Sequence, residues 1–308
     1  MSKIFVAGHK GMVGSAILRR LEQDGQYDII VRSKEELNLL DQTKVKMFLK
    51  QEKPDYIFIA AAKVGGIHSN NTFRTEFLYE NLTIQNNIIH SAFEADVQRL
   101  CFLASSCIYP RDCKQPIKEE YLLTGPLEKT NEPYAIAKIA GLKLCEALNA
   151  QYKTQYLTLM PTNLYGPNDS YDLLNCHFLP ALLRKAHTAK KSGINQLEVW
   201  GSGKPRREML YVDDLADACV YFMKQKTQEQ ILNVGTGKDH TVQQIAELVK
   251  EIVGLQGEVI YDSSKPDGTP RKLLDVSRVK KYRWTHSVDL HDGIKKTYED
   301  FLKHGRSK

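Results

Sequence analysis

The stretch Gly8-His9-Lys10-Gly11-Met12-Val13-Gly14 decides the fold of this chain. It follows a short apolar run, Lys3–Ala7, and opens an amphipathic segment, Met12–Gln23, so the order is strand, glycine-rich turn and helix. Glycines at this spacing allow a tight turn and let backbone N–H groups approach a pyrophosphate at the positive end of the helix. The pattern predicts a dinucleotide-binding unit whose first cofactor contacts are these seven residues, although a short glycine motif also occurs in turns that bind nothing.

The chain continues this alternation well beyond the first turn. Short apolar runs predict further strands at Asp28–Val31, Asp55–Ala60, Leu100–Ala104 and Tyr156–Pro161. Segments with helical periodicity lie between them, the longest at Asn71–Ala95 and Pro133–Tyr152. Strands alternating with helices are typical of a parallel sheet covered on both faces. We therefore expect an α/β fold with a doubly wound, Rossmann-type parallel sheet.

The regular alternation weakens after residue 165. Helices are predicted at Phe178–Lys190, Asp213–Gln225, Val242–Val253 and Asp289–Leu302, whereas Gly201–Arg207 and Asp262–Arg271 are predicted as polar loops. We predict a nucleotide-binding domain over residues 1–165, to which some later segments return, and a smaller, mainly substrate-binding α/β domain over 166–308. The site is expected in the cleft between them.

Composition excludes several classes of protein. With 308 residues and 42% hydrophobic residues, the chain can bury a core without disulfides or a structural metal, and no metal site is predicted. Lys and Arg are dispersed among acidic residues, which argues against nucleic-acid binding despite a net charge of +6. No apolar run reaches the ~20 residues of a membrane span, and no signal peptide is recognisable. Six cysteines without a CxxC pair favour reduced thiols and a cytoplasmic location.

The end of the second predicted strand indicates which dinucleotide binds. An NAD enzyme of this fold places Asp or Glu there to bind the ribose 2′-hydroxyl. Here the sequence is Val31-Arg32-Ser33-Lys34, and a guanidinium can grip a 2′-phosphate in a fork. Arg32 therefore favours NADP(H), with a solvated charge pair as the alternative.

Three polar residues predict chemistry at a carbonyl group. Tyr134 and Lys138 are one helical turn apart, so both can point at one substrate atom. Ser105 follows an apolar strand at the sheet edge where doubly wound folds keep their sites. A phenol has a pKa of about 10, and we expect the ammonium, together with a bound nicotinamide cation, to lower it toward neutrality.

The glycine-rich turn, Ser105, Tyr134 and Lys138 together resemble the extended short-chain dehydrogenase/reductase family. Five further segments resemble its nucleotide-sugar-modifying branch: Ser105–Pro110 (SSCIYP), Pro161–Pro167 (PTNLYGP), His177 with Leu179–Leu182 (LPAL), Trp200-Gly201 with Arg207-Glu208, and Lys265–Lys272 (KPDGTPRK). The likeness extends from Ile4 to about Trp284.

The resemblance implies a bifunctional enzyme. It implies 3,5-epimerisation and NADPH-dependent 4-keto reduction of GDP-4-keto-6-deoxy-D-mannose to GDP-L-fucose. Protons at C3 and C5 are acidic once Ser105 and Tyr134 stabilise the enolate oxygen. By the same resemblance Cys107 is the base, His177 is the acid, and Lys138 also holds the nicotinamide ribose.

The resemblance also implies the binding residues. Cofactor contacts beyond the first turn and Arg32 are implied at Leu103, Ala104, Ser105, Ser106, Lys138, Pro161, Thr162, Asn163, Leu164 and His177. Substrate contacts are implied at Lys185, Trp200, Arg207 and Asp267. The apolar faces of Leu78–Phe93 and Ile136–Leu148 are expected to form a homodimer, although they could instead only cover the sheet.

Three alternatives remain open at this point. A nucleotide-sugar 4-epimerase or 4,6-dehydratase also uses the Tyr–Lys pair, but a dehydratase is expected to carry Asp-Glu where Ser106-Cys107 stands. A catalytically silent NADP-sensing regulator would need a broken Tyr–Lys pair. Finally, Cys107 could be a buried core thiol and His177 a helix cap.

Overall fold

The computed structural model describes residues 1–173, 176–265 and 267–304. The strands in chain order are β1 (Ser2–Ala7), β2 (Tyr27–Ile30), β3 (Tyr56–Ile59), β4 (Arg99–Leu103), β5 (Gln155–Pro161), β6 (Asn163–Tyr165), β7 (Gln196–Trp200), β8 (Arg206–Tyr211), β9 (Ile231–Val234), β10 (Asp239–Thr241), β11 (Glu258–Asp262) and β12 (Arg271–Lys272). The α-helices are α1 (Met12–Asp24), α2 (Gln42–Glu52), α3 (Ile67–Thr72), α4 (Arg74–Glu94), α5 (Glu132–Tyr152), α6 (Phe178–Lys191), α7 (Val212–Lys224), α8 (Val242–Val253), α9 (Ser277–Lys281) and α10 (Leu290–His304).

The central sheet has six parallel strands in the order β2-β1-β3-β4-β5-β9. The predicted Rossmann-type fold is confirmed. The chain leaves β1 toward β2 and returns to β3 on the other side, so the order reverses at β1. Ligands of such sheets bind outside the carboxyl ends of the strands at this reversal, which is where the glycine-rich turn lies.

Two predictions about the elements were wrong in part. The predicted loop Gly201–Arg207 ends early, because β8 begins at Arg206. The predicted helix Asn71–Ala95 is interrupted at Phe73, which separates α3 from α4.

The sheet also gains a strand that the sequence did not predict, β9. The buried amide of Asn233 breaks its apolar pattern. That amide is fully used, because it donates to the carbonyls of Ile117 and Asp275 and accepts a hydrogen bond from the Tyr109 hydroxyl.

Two hydrophobic cores divide the chain, although not at a single point in the sequence. The larger core surrounds the central sheet and includes residues far beyond position 165, among them Leu215, Phe222, Leu232 and Trp284. The smaller core packs α6, α8 and α10 around β7 and β8. The boundary at 165/166 stays a prediction, and residues 305–308 of the second predicted domain lie outside the described residues.

The second part of the chain forms two small sheets. Strand β8 pairs with β6, β10 and β12, and β7 pairs in parallel with β11. All six cysteines are free thiols. None of the helices in the described ranges has the length and apolar character that crossing a bilayer would require.

Close backbone approach at the glycine-rich turn explains its glycines. Gly8 has φ +87°, and a Cβ there would lie 2.6 Å from the backbone nitrogen of Ala61. A Cβ on Gly14 would overlap the carbonyl oxygen of Gly8, whereas one on Gly11 would lie 3.5 Å from the same oxygen. The turn therefore tolerates a side chain at Gly11 but not at the other two positions.

We predict that Gly14→Ala lowers the free energy of unfolding by about 1–3 kcal/mol, because the new methyl group has no space. The matched variant Gly11→Ala should lose less than about 1 kcal/mol, since its methyl group makes only ordinary contact. Urea denaturation of the cofactor-free protein measures both. Equal losses in the two variants would contradict this account of the turn.

Candidate active site

The glycine-rich turn leaves the start of α1 without a side-chain cap and one buried side-chain atom without a protein partner among the described residues. Gly11 is the N-cap of this helix and donates its N–H to the carbonyl of Gly8 at 3.0 Å, and no side chain caps the helix. The buried Nδ1 atom of His9 has no hydrogen-bond partner among the described residues. A helix N-terminus with these groups fits a pyrophosphate, because its N–H dipoles point at the ligand.

Arg32 lies at the carboxyl end of β2, as predicted, but it is not a free cation. Its guanidinium lies 5.3 Å from the centre of the Phe48 ring and 3.0 Å from a carboxylate oxygen of Glu52. A second nitrogen donates to the carbonyl of Val31. The charge-pair alternative is therefore realised in this structure, and about a third of the side chain remains exposed for a phosphate.

The Tyr–Lys helix is fixed to the end of β4. The Lys138 ammonium is buried and donates to the carbonyl of Leu103 at 2.8 Å. It lies 4.7 Å from the centre of the Phe102 ring and 5.8 Å from that of Tyr134. This hydrogen bond joins α5 to the last residue of β4, two residues before Ser105.

Ser105 begins a short 3₁₀ turn, Ser106–Ile108, that presents Cys107. The Ser105 hydroxyl oxygen accepts the Cys107 N–H at 3.4 Å. Ser106 is buried, whereas Ser105 and Cys107 are each partly accessible. Negative charge on Cys107 raises the pKa of Tyr134, so the thiol and the phenol lie close enough to interact electrostatically. The structure thus brings three predicted catalytic residues to one sheet edge.

Burial changes the acid–base properties of the Tyr–Lys pair. It raises the pKa of the Tyr134 phenol well above its ordinary value, and negative charge on Cys107 adds to this. It also lowers the pKa of the Lys138 ammonium to about 8. Lys138 alone therefore does not lower the phenol pKa, and the lowering expected from the ammonium together with a bound nicotinamide cation stays a prediction. A neutral phenol at working pH is suited to donate a proton.

His177 is the N-cap of α6 and interacts electrostatically with Lys272. The surrounding protein desolvates the ring and lowers its pKa, and the Lys272 ammonium lowers it further. The side chain nevertheless keeps accessible surface. Dense surroundings combined with accessible surface are typical of a residue that lines a concave site. Asn175 and Leu174, just before it, lie outside the described residues.

Lys272 is the functional candidate that the sequence did not single out. It pairs with Arg207 in the β12–β8 ladder, and a small pocket contains it together with Cys107, Glu128 and Asn131. Burial lowers the pKa of the ammonium, and charge on Cys107 opposes that shift. In the sequence, Lys272 is only the last residue of the Lys265–Lys272 motif. Its pairing with Arg207 could not be predicted, because the two residues are far apart in the chain.

The residues after β5 face the second half of the molecule. The Thr162 hydroxyl and the Asn163 amide both donate to the backbone carbonyl of Glu208, at 3.3 and 2.8 Å. Pro161 ends β5 beside β9, and Leu164 lies in β6. The cofactor contacts assigned to these four residues stay predictions.

The four predicted substrate residues form two neighbouring pairs, Arg207 with Asp267 and Trp200 with Lys185. Arg206 forms a salt bridge with Asp239 at 2.8 Å, so its charge already has a protein partner. The Arg207 guanidinium is largely surrounded by protein, and burial lowers its pKa. Asp267 accepts hydrogen bonds from the backbone and hydroxyl of Ser202 at 2.6 and 2.8 Å. Its neighbour Pro266 lies outside the described residues.

Trp200 and Lys185 continue this line at the surface. Trp200 is 61% exposed, and the Lys185 ammonium lies 5.1 Å from its ring centre. Lys272 therefore connects the sequence-predicted Cys107 to the substrate residues, through Arg207 and on toward Trp200.

The model of the NAD dependent epimerase/dehydratase family matches residues 4–235. The chain belongs to this family. The family resemblance predicted from the sequence is therefore confirmed, and it places the glycine-rich turn and the Tyr–Lys helix within the matched part.

Curated relatives show which members of the NAD dependent epimerase/dehydratase family this chain is similar to. Putative GDP-L-fucose synthase 2 of Arabidopsis thaliana is 53% identical over 302 residues, covering 98% of this chain and 92% of that protein. GDP-L-fucose synthase of Escherichia coli (strain K12) is 51% identical over 310 residues, covering 98% and 97%. The likeness runs through both halves of the chain.

A solved structure of the same fold carries a cofactor. The GDP-mannoheptose C4 reductase MlghC of Campylobacter jejuni, solved with NADP bound, matches with a TM-score of 0.89 and 37% identity. The match covers 98% of each chain.

We predict that Lys138→Met changes how stability depends on pH. Below pH 8 the lysine is protonated in both folded and unfolded states and adds no pH dependence. Between about 8 and its ordinary value of 10.5 the unfolded state holds more protons, so wild-type stability gains with rising pH. The variant lacks this gain, and its stability relative to wild type should fall by roughly 1–3 kcal/mol from pH 8 to 10.

Urea denaturation at several pH values measures this difference. Lys143→Met, which removes an exposed lysine of the same helix, is the control and should follow the wild-type pH dependence. Parallel curves for Lys138→Met and wild type would show that the Lys138 ammonium is not desolvated.

Proposed function

We propose that this protein converts GDP-4-keto-6-deoxy-D-mannose to GDP-L-fucose by 3,5-epimerisation followed by 4-keto reduction. The observation that carries the proposal is a small pocket lined by Cys107 and Lys272, in which Cys107 interacts electrostatically with Tyr134 and Lys272 with His177. Relatives at about half identity over nearly the whole chain are GDP-L-fucose synthases, which supports the same substrate.

NADP(H) is the proposed cofactor. The unpartnered groups of the glycine-rich turn fit its pyrophosphate, and Arg32, which bears a positive charge at the end of β2, fits its 2′-phosphate. When bound, NADPH supplies the hydride that reduces C4. The NADP found in the Campylobacter jejuni neighbour supports this choice. Free thiols at all six cysteines are consistent with the proposed cytoplasmic location.

The reduction needs a proton at the C4 oxygen. Tyr134 is the proposed donor, because its raised pKa keeps the phenol protonated until charge develops on that oxygen. The Ser105 hydroxyl donates a hydrogen bond to the same oxygen. Lys138, fixed by Leu103, holds α5 so that the phenol faces the sheet edge.

Epimerisation needs a base and an acid on opposite faces of the sugar. Cys107, on the 3₁₀ turn after β4, is the proposed base for the protons at C3 and C5. His177, at the start of α6, is the proposed acid. Arg207 and Lys272 supply the positive charge that a diphosphate requires and hold the sugar between the two groups.

A second candidate function is C4 reduction without epimerisation. The Campylobacter jejuni neighbour, named a C4 reductase, favours it. A reductase needs Ser105, Tyr134 and Lys138 but has no use for a thiol and an imidazole on opposite sides. A 4-epimerase or 4,6-dehydratase, the alternative left by the sequence, has less support from the named relatives.

We predict that Cys107→Ser slows solvent exchange at C3 and C5 by at least about 100-fold, because a serine hydroxyl is far less acidic than a thiol and does not ionise to give the basic anion. Deuterium incorporation is followed by NMR in D2O with the GDP-keto-sugar, and NADPH oxidation is followed by absorbance. Cys113→Ser is the control and should exchange like wild type.

Three results would count against the proposal. Wild-type exchange by Cys107→Ser would reject the base assignment. NADPH oxidation without deuterium uptake in the wild type would show a C4 reductase. No turnover at all would support a silent regulator.

A homodimer through the outer face of α4 and α5 is also proposed. These helices pack side by side, and Gln85 donates from α4 to the carbonyl of Ala137 on α5. Apolar side chains nevertheless remain accessible on the outside of the pair, namely Leu78, Tyr79, Leu82 and Ile136. Both helices are part of the large core from their other side, so this face is available for a second copy.

We predict that wild-type protein has twice the mass of one 35.1-kDa chain in light scattering and that Ile136→Glu has the mass of one. A carboxylate desolvated at the interface costs several kcal/mol, which favours dissociation. Ile194→Glu, a similarly exposed isoleucine elsewhere, should stay dimeric. A single-chain mass for the wild type would exclude the dimer.

A further inference from the structure

The outer face of β7 carries an exposed aromatic ring beside a carboxylate. Residues of β7 alternate between buried and exposed, so Glu198 and Trp200 lie on the same outer face. The neighbouring strand places Ile260 opposite Glu198 in the parallel ladder. Trp200 is 61% exposed and Ile260 36%. We call Glu198, Trp200 and Ile260 the β7 face. It is a flat apolar surface with an acid at its edge.

The orientation of the indole ring is fixed by hydrogen bonding and charge. The Trp200 Nε1–H donates to Oε1 of Glu198 at 3.1 Å. The Lys185 ammonium lies 3.9 Å from the same oxygen, and the Lys185 and Lys265 ammoniums lie 5.1 and 5.5 Å from the ring centre. An exposed tryptophan held in this way is a preformed stacking surface for a flat ring attached to an anion.

The β7 face is continuous with the proposed diphosphate site. Gly201 follows Trp200 with φ +84°, and a Cβ on it would collide with the carboxylate of Asp267. A Cβ on Gly268 would lie 3.5 Å from the Arg207 guanidinium. A nucleotide-sugar with its sugar at Cys107 and its diphosphate at Arg207 therefore directs its base toward Trp200.

Nucleobases differ in what they offer a carboxylate. A carboxylate only accepts hydrogen bonds. Guanine presents two adjacent donors on its Watson–Crick edge, N1–H and the 2-amino group. Hypoxanthine keeps only N1–H, and the N1 of adenine is an acceptor that a carboxylate repels. An acid at the edge of a stacking surface therefore selects guanine.

We infer that Glu198 is the residue that selects guanine, by accepting both donors of a base stacked on Trp200. The inference rests on the proposed function for the presence of a GDP group, and it adds the residue that distinguishes this base from others. Glu198 contacts the nucleotide and not the reacting sugar, so it determines specificity and is not a catalytic residue.

The test is calorimetric titration of the NADP-loaded protein with GDP, IDP and ADP. Wild type should bind GDP roughly 10-fold more tightly than IDP, the loss expected when one hydrogen bond to a charged group is missing, and ADP more weakly still. Glu198→Gln keeps an acceptor for the indole N–H but lacks the charge. It should lose roughly 10-fold in GDP affinity and much less in IDP affinity.

Two further variants separate base reading from other effects. Glu258→Gln makes the same charge change on β11, beyond Ile260, and should match wild type. Trp200→Ala should weaken all three nucleotides alike, because stacking does not read the base edge. An unchanged ratio of GDP to IDP affinity in Glu198→Gln would overturn the inference while the proposed function stands. Absence of GDP binding by the wild type would reject both.

Discussion

A buried ammonium holds the catalytic edge of this protein together. Lys138 sits in the protein interior, where charge is expensive, and its hydrogen bond to the carbonyl of Leu103 is the interaction that makes its position tolerable. That bond fixes α5 against the end of β4. The same helix carries Tyr134, and the same strand leads into Ser105, so one interaction sets the position of the phenol relative to the serine hydroxyl.

The lowered pKa of Lys138 means that burying its charged form costs free energy of folding. A neutral side chain of similar shape would pack there without the cost of desolvating a charge. The apolar wall formed by Phe102 and the helix leaves water little access, which also raises the pKa of the phenol. Burial thus keeps the Tyr134 phenol neutral and able to donate a proton, while it disfavours the charge on Lys138, which the hydrogen bond to Leu103 helps to offset.

The sequence predicted the parts of this site that follow local rules. The glycine-rich turn, Ser105 at a strand end, and Tyr134 with Lys138 on one helix face each depend on neighbours within a few residues, so spacing was sufficient to identify them. The effect of burial on the phenol pKa was not predicted, because burial is a property of the whole fold. Lys272 was missed for a similar reason, since only the pairing of β12 with β8 sets it beside Arg207.

The connection between the two halves is likewise visible only in three dimensions. The Asn168 side-chain amide donates to the carbonyl of Lys10 in the glycine-rich turn, and its backbone N–H donates to the Asp300 carboxylate of α10. This ties the glycine-rich turn to the segment that leads to α6 and to His177. Lys272 and Arg207 both have lowered pKa values on the far side of the same cleft. Two cations desolvated side by side are unfavourable until an anion lies between them, and this cost is what would favour binding of the proposed diphosphate. The halves are thus held together by hydrogen bonds that need no substrate. The two desolvated cations are the feature of the cleft that favours an anionic ligand.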